Sequence, residues 1–254
     1  MTCLRWLILG LGVLAGPLGA QDLAGHGGPV GALAMQGDTA LSGAFDARAI
    51  LWDMESGTAR QVRSFHAGTV TAVAFLPGAM LATGGQDGRI ALWDMATSAP
   101  RHATETGSAP VSALSLSPDG TVLAAGFRDG QIAVLSLDDL SERQEQAHQG
   151  RLTGLGYLPD GRLVSVGEDL RFNVHDPALR LVARTDLPDL PNALAISEGR
   201  VAVAFADGSL RLFAADGTLL PERFLTDRPL ITVATTSGAT TPSAVAAAAI
   251  DGTV

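Results

Sequence analysis

The residues best suited to chemistry in this sequence are five histidines and an evenly spaced series of aspartates. His26, His66, His102, His148 and His175 could act as general bases or metal ligands, since imidazole changes charge near neutral pH. No two of them have the i, i+4 spacing of a helical metal site. Cys3 is the lone cysteine. The motifs Gly-x-Ser-x-Gly, His-Glu-x-x-His, Gly-Lys-Ser and Cys-x-x-Cys-His do not occur. Gly10-Leu11-Gly12 falls in an apolar N-terminal run without the strand–turn–helix setting of a dinucleotide site. The sequence therefore predicts no cofactor, no metal site and no enzyme.

The aspartates carry a different message. Asp46, Asp87, Asp129, Asp169, Asp207 and Asp251 are separated by 41, 42, 40, 38 and 44 residues. A carboxylate pair for acid–base catalysis would occur once, whereas these recur at one period. A constant period of this length marks a structural repeat.

The segments between them read as short strands. Val70 to Phe75 is a β-rich run, Met80 to Thr83 a second, and Arg89 to Trp93 alternates polar and apolar residues. Pro118-Asp119-Gly120, Pro159-Asp160-Gly161 and several Asp-Gly pairs supply tight turns. Pro100 to Ala103, which includes His102, reads as an exposed loop. A single four-stranded unit cannot bury its own faces, so neighbours must stack.

These segments resemble WD40 repeats, and the resemblance covers residues 26–254. It rests on His26 … Ser42 … Asp46 … Leu51-Trp52-Asp53 and His66 … Thr83 … Asp87 … Leu92-Trp93-Asp94, with diverged copies after them. It implies an all-β propeller, with blades starting near residues 26, 66, 107, 148, 188 and 228. It also implies a buried tetrad within a blade: His26, Ser42, Asp46 and Trp52 in the first, and His66, Thr83, Asp87 and Trp93 in the second. The fourth supplies His148, Ser165 and Asp169, with His175 at the Trp position. The third and fifth keep Asp129 and Asp207 but have Leu135 and Phe213 in place of Trp. The resemblance further implies that residues just before each Asp face a partner: Phe45, Gln86, Arg128 and Glu168, then Ala206 and Ile250. Such propellers usually have seven blades, and the sixth copy stops at Asp251–Val254. The expectation is five blades and a partial sixth, from a longer chain or an arc completed by a partner or second copy.

Arg5, the apolar run Trp6 to Leu14, and Gly16 to Ala20 predict an export signal over residues 1–20, cut before Gln21. The run is too short to span a bilayer comfortably. The net charge is −9, and every basic residue is Arg. That balance disfavours nucleic acid and anionic membrane surfaces as partners. The reading is a bacterial periplasmic or secreted scaffold that binds a protein or peptide on one face, in an oligomeric state the sequence leaves open. The alternative is the N-terminal propeller of a longer periplasmic redox protein, such as one carrying a c-type cytochrome domain.

Overall fold

The structure, a computed structural model, describes residues 24–105, 109–226, 228–235 and 245–249. The expected export signal, Ile250 and Asp251 lie outside the described residues.

Five four-stranded antiparallel sheets and a two-stranded sixth make up the described chain. The first blade is β1 (Val30–Gln36), β2 (Thr39–Ala44), β3 (Arg48–Asp53) and β4 (Thr58–Ser64). The second is β5 (Val70–Leu76), β6 (Met80–Gly85), β7 (Arg89–Asp94) and β8 (Pro100–Glu105). The third is β9 (Val111–Leu116), β10 (Val122–Phe127), β11 (Gln131–Ser136) and β12 (Glu142–Gln146). The fourth is β13 (Leu152–Tyr157), β14 (Leu163–Gly167), β15 (Arg171–His175) and β16 (Leu181–Asp186). The fifth is β17 (Pro191–Ser197), β18 (Arg200–Phe205), β19 (Ser209–Phe213) and β20 (Leu219–Leu225). The sixth pair is β21 (Leu230–Thr235) with β22 (Val245–Ala249). The all-β propeller expectation holds, with five full blades and part of a sixth among the described residues.

Within each blade the strands pair in chain order, and the first strand of each blade packs against the first strand of the next. The second and third strands are buried on both faces between blades. They therefore read as continuous small and apolar runs rather than clean alternation. Outer strands such as β12 (Glu-Arg-Gln-Glu-Gln) are mostly exposed, and their charges suit an open sheet edge. Close stacking depends on glycine in places: a Cβ on Gly84 would lie 2.6 Å from a methyl of Val111 in the next blade.

One sequence expectation is corrected. Pro100 to Ala103 is not a loop but the start of β8, where His102 pairs with Leu92 and is half-buried. A fourth, edge strand needs only one paired side, so it carries too weak an apolar pattern to be recognised from sequence.

On β1, Leu33 is 65% and Met35 54% exposed. Val73 and Phe75 hold the equivalent register positions in the second blade, where they pack on the first.

Candidate functional site

Three blades contain a hydrogen-bonded array, built from four elements in the first two and from three in the fourth. In the second, His66 precedes β5, Thr83 lies on β6, Asp87 in the β6–β7 turn and Trp93 on β7. His66 Nδ1 lies 3.0 Å from Asp87 Oδ1, and its Nε2 lies 2.8 Å from the Thr83 hydroxyl. The Trp93 indole N–H donates to that hydroxyl at 2.9 Å. In the first blade His26 Nε2 to Ser42 Oγ is 2.7 Å, Trp52 Nε1 to Ser42 Oγ is 2.7 Å, and His26 Nδ1 to Asp46 Oδ1 is 3.1 Å. In the fourth, His148 lies 2.8 Å from both Asp169 Oδ1 and Ser165 Oγ.

One direction of donation satisfies every group in the second-blade array. The indole N–H donates to the hydroxyl, the hydroxyl donates to Nε2, and Nδ1–H donates to the carboxylate. In this arrangement the Nδ1–H of His66 faces Asp87. The order Asp–His–hydroxyl is that of a hydrolytic triad. Its burial excludes that use: Ser42 is 3% exposed, and Thr83 and Ser165 are fully buried. No substrate reaches these oxygens. The arrays instead satisfy polar groups between packed sheets.

The aspartates have a second role that does not need the histidine. In each of the five blades the Asp accepts the backbone N–H two residues on, at 2.8–3.2 Å. This bond closes the turn between second and third strands. Asp129 and Asp207 therefore persist in blades without a tetrad histidine or tryptophan. In the blades that have one, the carboxylate also accepts the N–H of the residue after the histidine, at 2.8–3.0 Å. Burial raises the pKa of Asp46 and Asp87, but these N–H groups and the imidazoles outweigh it and hold both carboxyls below the usual range.

The residue two before the Asp differs between the two kinds of blade. It is Ala44, Gly85 and Gly167 where the histidine is present, and Phe127 and Phe205, both fully buried, in the third and fifth blades. The phenyl ring occupies space that the imidazole takes elsewhere. This small-or-Phe alternation stands in the sequence, two residues before each of these aspartates.

The fourth blade departs from the expected array. His175 sits opposite Leu163, the register position that Trp93 holds opposite Leu81. It is buried, yet its Nδ1 has no hydrogen-bond partner among the described residues. Asn173, not singled out from sequence, reaches the site instead. Its Nδ2 donates to Ala147 O at 2.7 Å and lies 3.5 Å from His148 Nε2, and its Oδ1 accepts from Arg184 Nε at 3.0 Å. Burial, then the charges of His148 and Arg184, push the His175 pKa down to about 4. Burial also lowers His148, against the pull of Asp169.

The exposed candidates gather at the end of the propeller that carries the β2–β3 type of turn. Phe45, 62% exposed, lines a cavity of about 530 Å³ together with Gln86 and Arg128. Glu168 lines an adjoining cavity of about 240 Å³, and Arg151, Thr153 and Asn192 are shared by both. Ala206 is half-buried and lines neither cavity.

The inner strands contribute the floor through a repeated irregularity. The ladder between first and second strands slips in every blade, leaving Gly31, Thr71, Ser112, Thr153, Asn192 and Ile231 as bulged residues. A bulge re-aims its side chain, and each of these lines one or both cavities. Thr71 Oγ1 donates to Val111 O at 2.7 Å, and Asn192 Nδ2 donates to Leu230 O at 2.7 Å, so two of them also tie one blade to the next. The recurring triplets Val70-Thr71-Ala72, Val111-Ser112-Ala113 and Leu152-Thr153-Gly154 were the legible signal for this ring. Gly31 leaves room above it: a Cβ there would meet the Phe45 ring at 3.6 Å.

Among the described residues no group of three or more His, Cys, Asp or Glu could hold a metal, and no helix is long and apolar enough to cross a membrane.

Residues 58–94 and 100–135 match the family model described as WD domain, G-beta repeat. These two segments match WD40 repeats. Each matched unit runs from the outer strand of one blade through the first three strands of the next, so the WD40 repeat is offset from the blade by one strand. The chain is similar to the WD repeat-containing protein SL1-17 of Schistosoma mansoni, 28% identical over 142 residues, which are 55% of this chain and 47% of that protein. It thus spans about half the length of that curated relative. Its fold is that of a chain in the crystal structure of the mitotic checkpoint complex, with a TM-score of 0.78 at 17% identity over 88% of this chain and 72% of the other. At that identity the likeness concerns the WD40 propeller fold alone.

Proposed function

We propose that this chain is a non-catalytic interaction scaffold whose protein or peptide partner docks on the face formed by Phe45, Gln86, Arg128 and Glu168. The observation that carries the reading is the convergence of these four turn residues, from four blades, on two adjoining cavities at one end of the propeller. An exposed aromatic beside Arg is the composition enriched at protein interfaces. The arrays that could have been catalytic are sealed inside the blades. WD40 propellers are typically scaffolds, although a fold by itself hosts many functions.

We further propose export into the periplasm or beyond a bacterial cell. The support is Arg5, the apolar run Trp6 to Leu14 and the small residues up to Ala20. Cell fractionation with an N-terminal sequence beginning at Gln21 is the expected result; a cytoplasmic protein retaining Met1 contradicts it.

The docking reading is tested by a photo-crosslinking amino acid at Gln86, on the cavity face, or at Asp138, an exposed residue of the β11–β12 turn at the opposite end. In the cell that makes the protein, the Gln86 probe should yield a defined covalent adduct and the Asp138 probe should not. Equal labelling from both positions contradicts the assignment of the face.

A further inference from the structure

We infer that the docking face recognises an acidic segment of its partner, gripping a Glu or Asp carboxylate between Arg128 and Arg151. The inference rests on the docking reading above and names the chemistry of what docks. The chain carries 26 acidic and 17 basic residues, so a cavity picked at random should show more carboxylates than guanidiniums. The larger cavity reverses this. Arg128 and Arg151 both line it, and no Asp or Glu does. Five other arginines are matched internally: Arg60 with Asp53, Arg162 with Asp160, Arg171 with Asp186, Arg180 with Asp176 and Arg211 with Asp207. Arg128 and Arg151 are exposed and form no ion pair with a described carboxylate. Even Glu168, beside Arg151 in the adjoining cavity, makes none with it.

The remaining lining is suited to the same guest. Gln86 and Asn192 offer amide donors at the wall, and a guanidinium fork matches a carboxylate in two parallel hydrogen bonds. Phe45, standing over Gly31 at the edge, gives the apolar contact that a peptide backbone or neighbouring side chain would cover. A cavity of about 530 Å³ has room for an acidic side chain together with its neighbours in a peptide, and the net charge of −9 repels a polyanion such as a nucleic-acid strand. A short acidic segment carries far fewer charges than such a polyanion and is repelled correspondingly less.

The test is a fluorescence-polarisation titration of the full chain with a labelled peptide of Glu-Gly repeats, against the same peptide with Gln for Glu. The acidic peptide should bind at least about tenfold more tightly, the effect of about 1.4 kcal/mol. Arg128→Gln with Arg151→Gln should abolish the preference. Arg60→Gln with Arg180→Gln, an equal change in net charge at the opposite end, should leave it intact. All variants are compared by thermal melting. Equal affinity for both peptides overturns the inference, as does an equal loss in the two double variants. No binding of the acidic peptide, with the Gln86 crosslink still formed, overturns the acidic chemistry and leaves the face standing. Tight binding that survives Arg128→Gln with Arg151→Gln, without a Gln86 crosslink, overturns both.

Discussion

A Cβ on Gly167 would lie 2.7 Å from Nδ1 of His148. That distance is below any real contact of this kind, so the ring as placed leaves no room for a large side chain at 167, although the first blade accommodates the Cβ of Ala44 beside its His26 array. Phe127 and Phe205 fill the matching positions in the blades that lack the histidine. The tetrad and the buried phenyl are alternative ways of filling one space.

Gly167→Phe should therefore be severely destabilising on its own, beyond the usual ~1–3 kcal/mol of an overpacked core. Adding His148→Gly should recover part of the loss, because the ring then enters the space the imidazole leaves. Thermal melts of the two single variants and the double variant check this. A double variant less stable than Gly167→Phe contradicts the exclusion.

Thr83→Val keeps the shape of the side chain but removes an oxygen bonded on two sides. It leaves the Trp93 N–H and His66 Nε2 without partners inside the blade. The expected cost is about 1–3 kcal/mol for the orphaned groups. Trp93→Ala should cost more, about 3–5 kcal/mol, since it also opens a cavity. Denaturant melts that leave both variants at wild-type stability would contradict the structural role of the array.

The fourth blade should make stability depend on pH. His175, lowered to about 4 by burial and by the charges of His148 and Arg184, stays neutral in the folded chain while the unfolded imidazole titrates near 6.5. Between those values the unfolded state binds the extra proton, so stability falls as pH drops. The slope for one such proton is at most about 1.4 kcal/mol per pH unit. His148 is shifted in the same direction. Below the ordinary carboxylate range, Asp46 and Asp87 add to the loss, because their lowered pKa values stabilise the fold only while they are ionised. His175→Leu should flatten the melting temperature between pH 6.5 and 4; an unchanged slope contradicts the assignment.

The repeat was legible because its cause is local. Each Asp closes its own turn through the N–H two residues on, a constraint within three residues, so the aspartates keep their period even where His and Trp are lost. The tetrads of the first two blades were legible for a related reason, since their four residue types all survive in order. What escaped depends on contacts between strands distant in sequence. Asn173 was missed because its partners, Ala147 and Arg184, lie in the approach to the blade and on its outer strand. The His175 position was read correctly in register, but the missing bond at its Nδ1 follows from packing. The bulged ring of Thr71, Ser112 and Thr153 had a visible triplet pattern, yet only the slipped ladder turns those side chains toward the cavity.

Partner binding should turn on the face itself. The decisive measurement is the affinity of a Phe45→Ala, Arg128→Ala double variant for the partner captured at Gln86, alongside its melting temperature. Both side chains are exposed and neither belongs to a tetrad, so the variant should melt with the wild type. Affinity should fall at least about tenfold, as expected when interface anchors are truncated. Wild-type affinity in a folded double variant would contradict it.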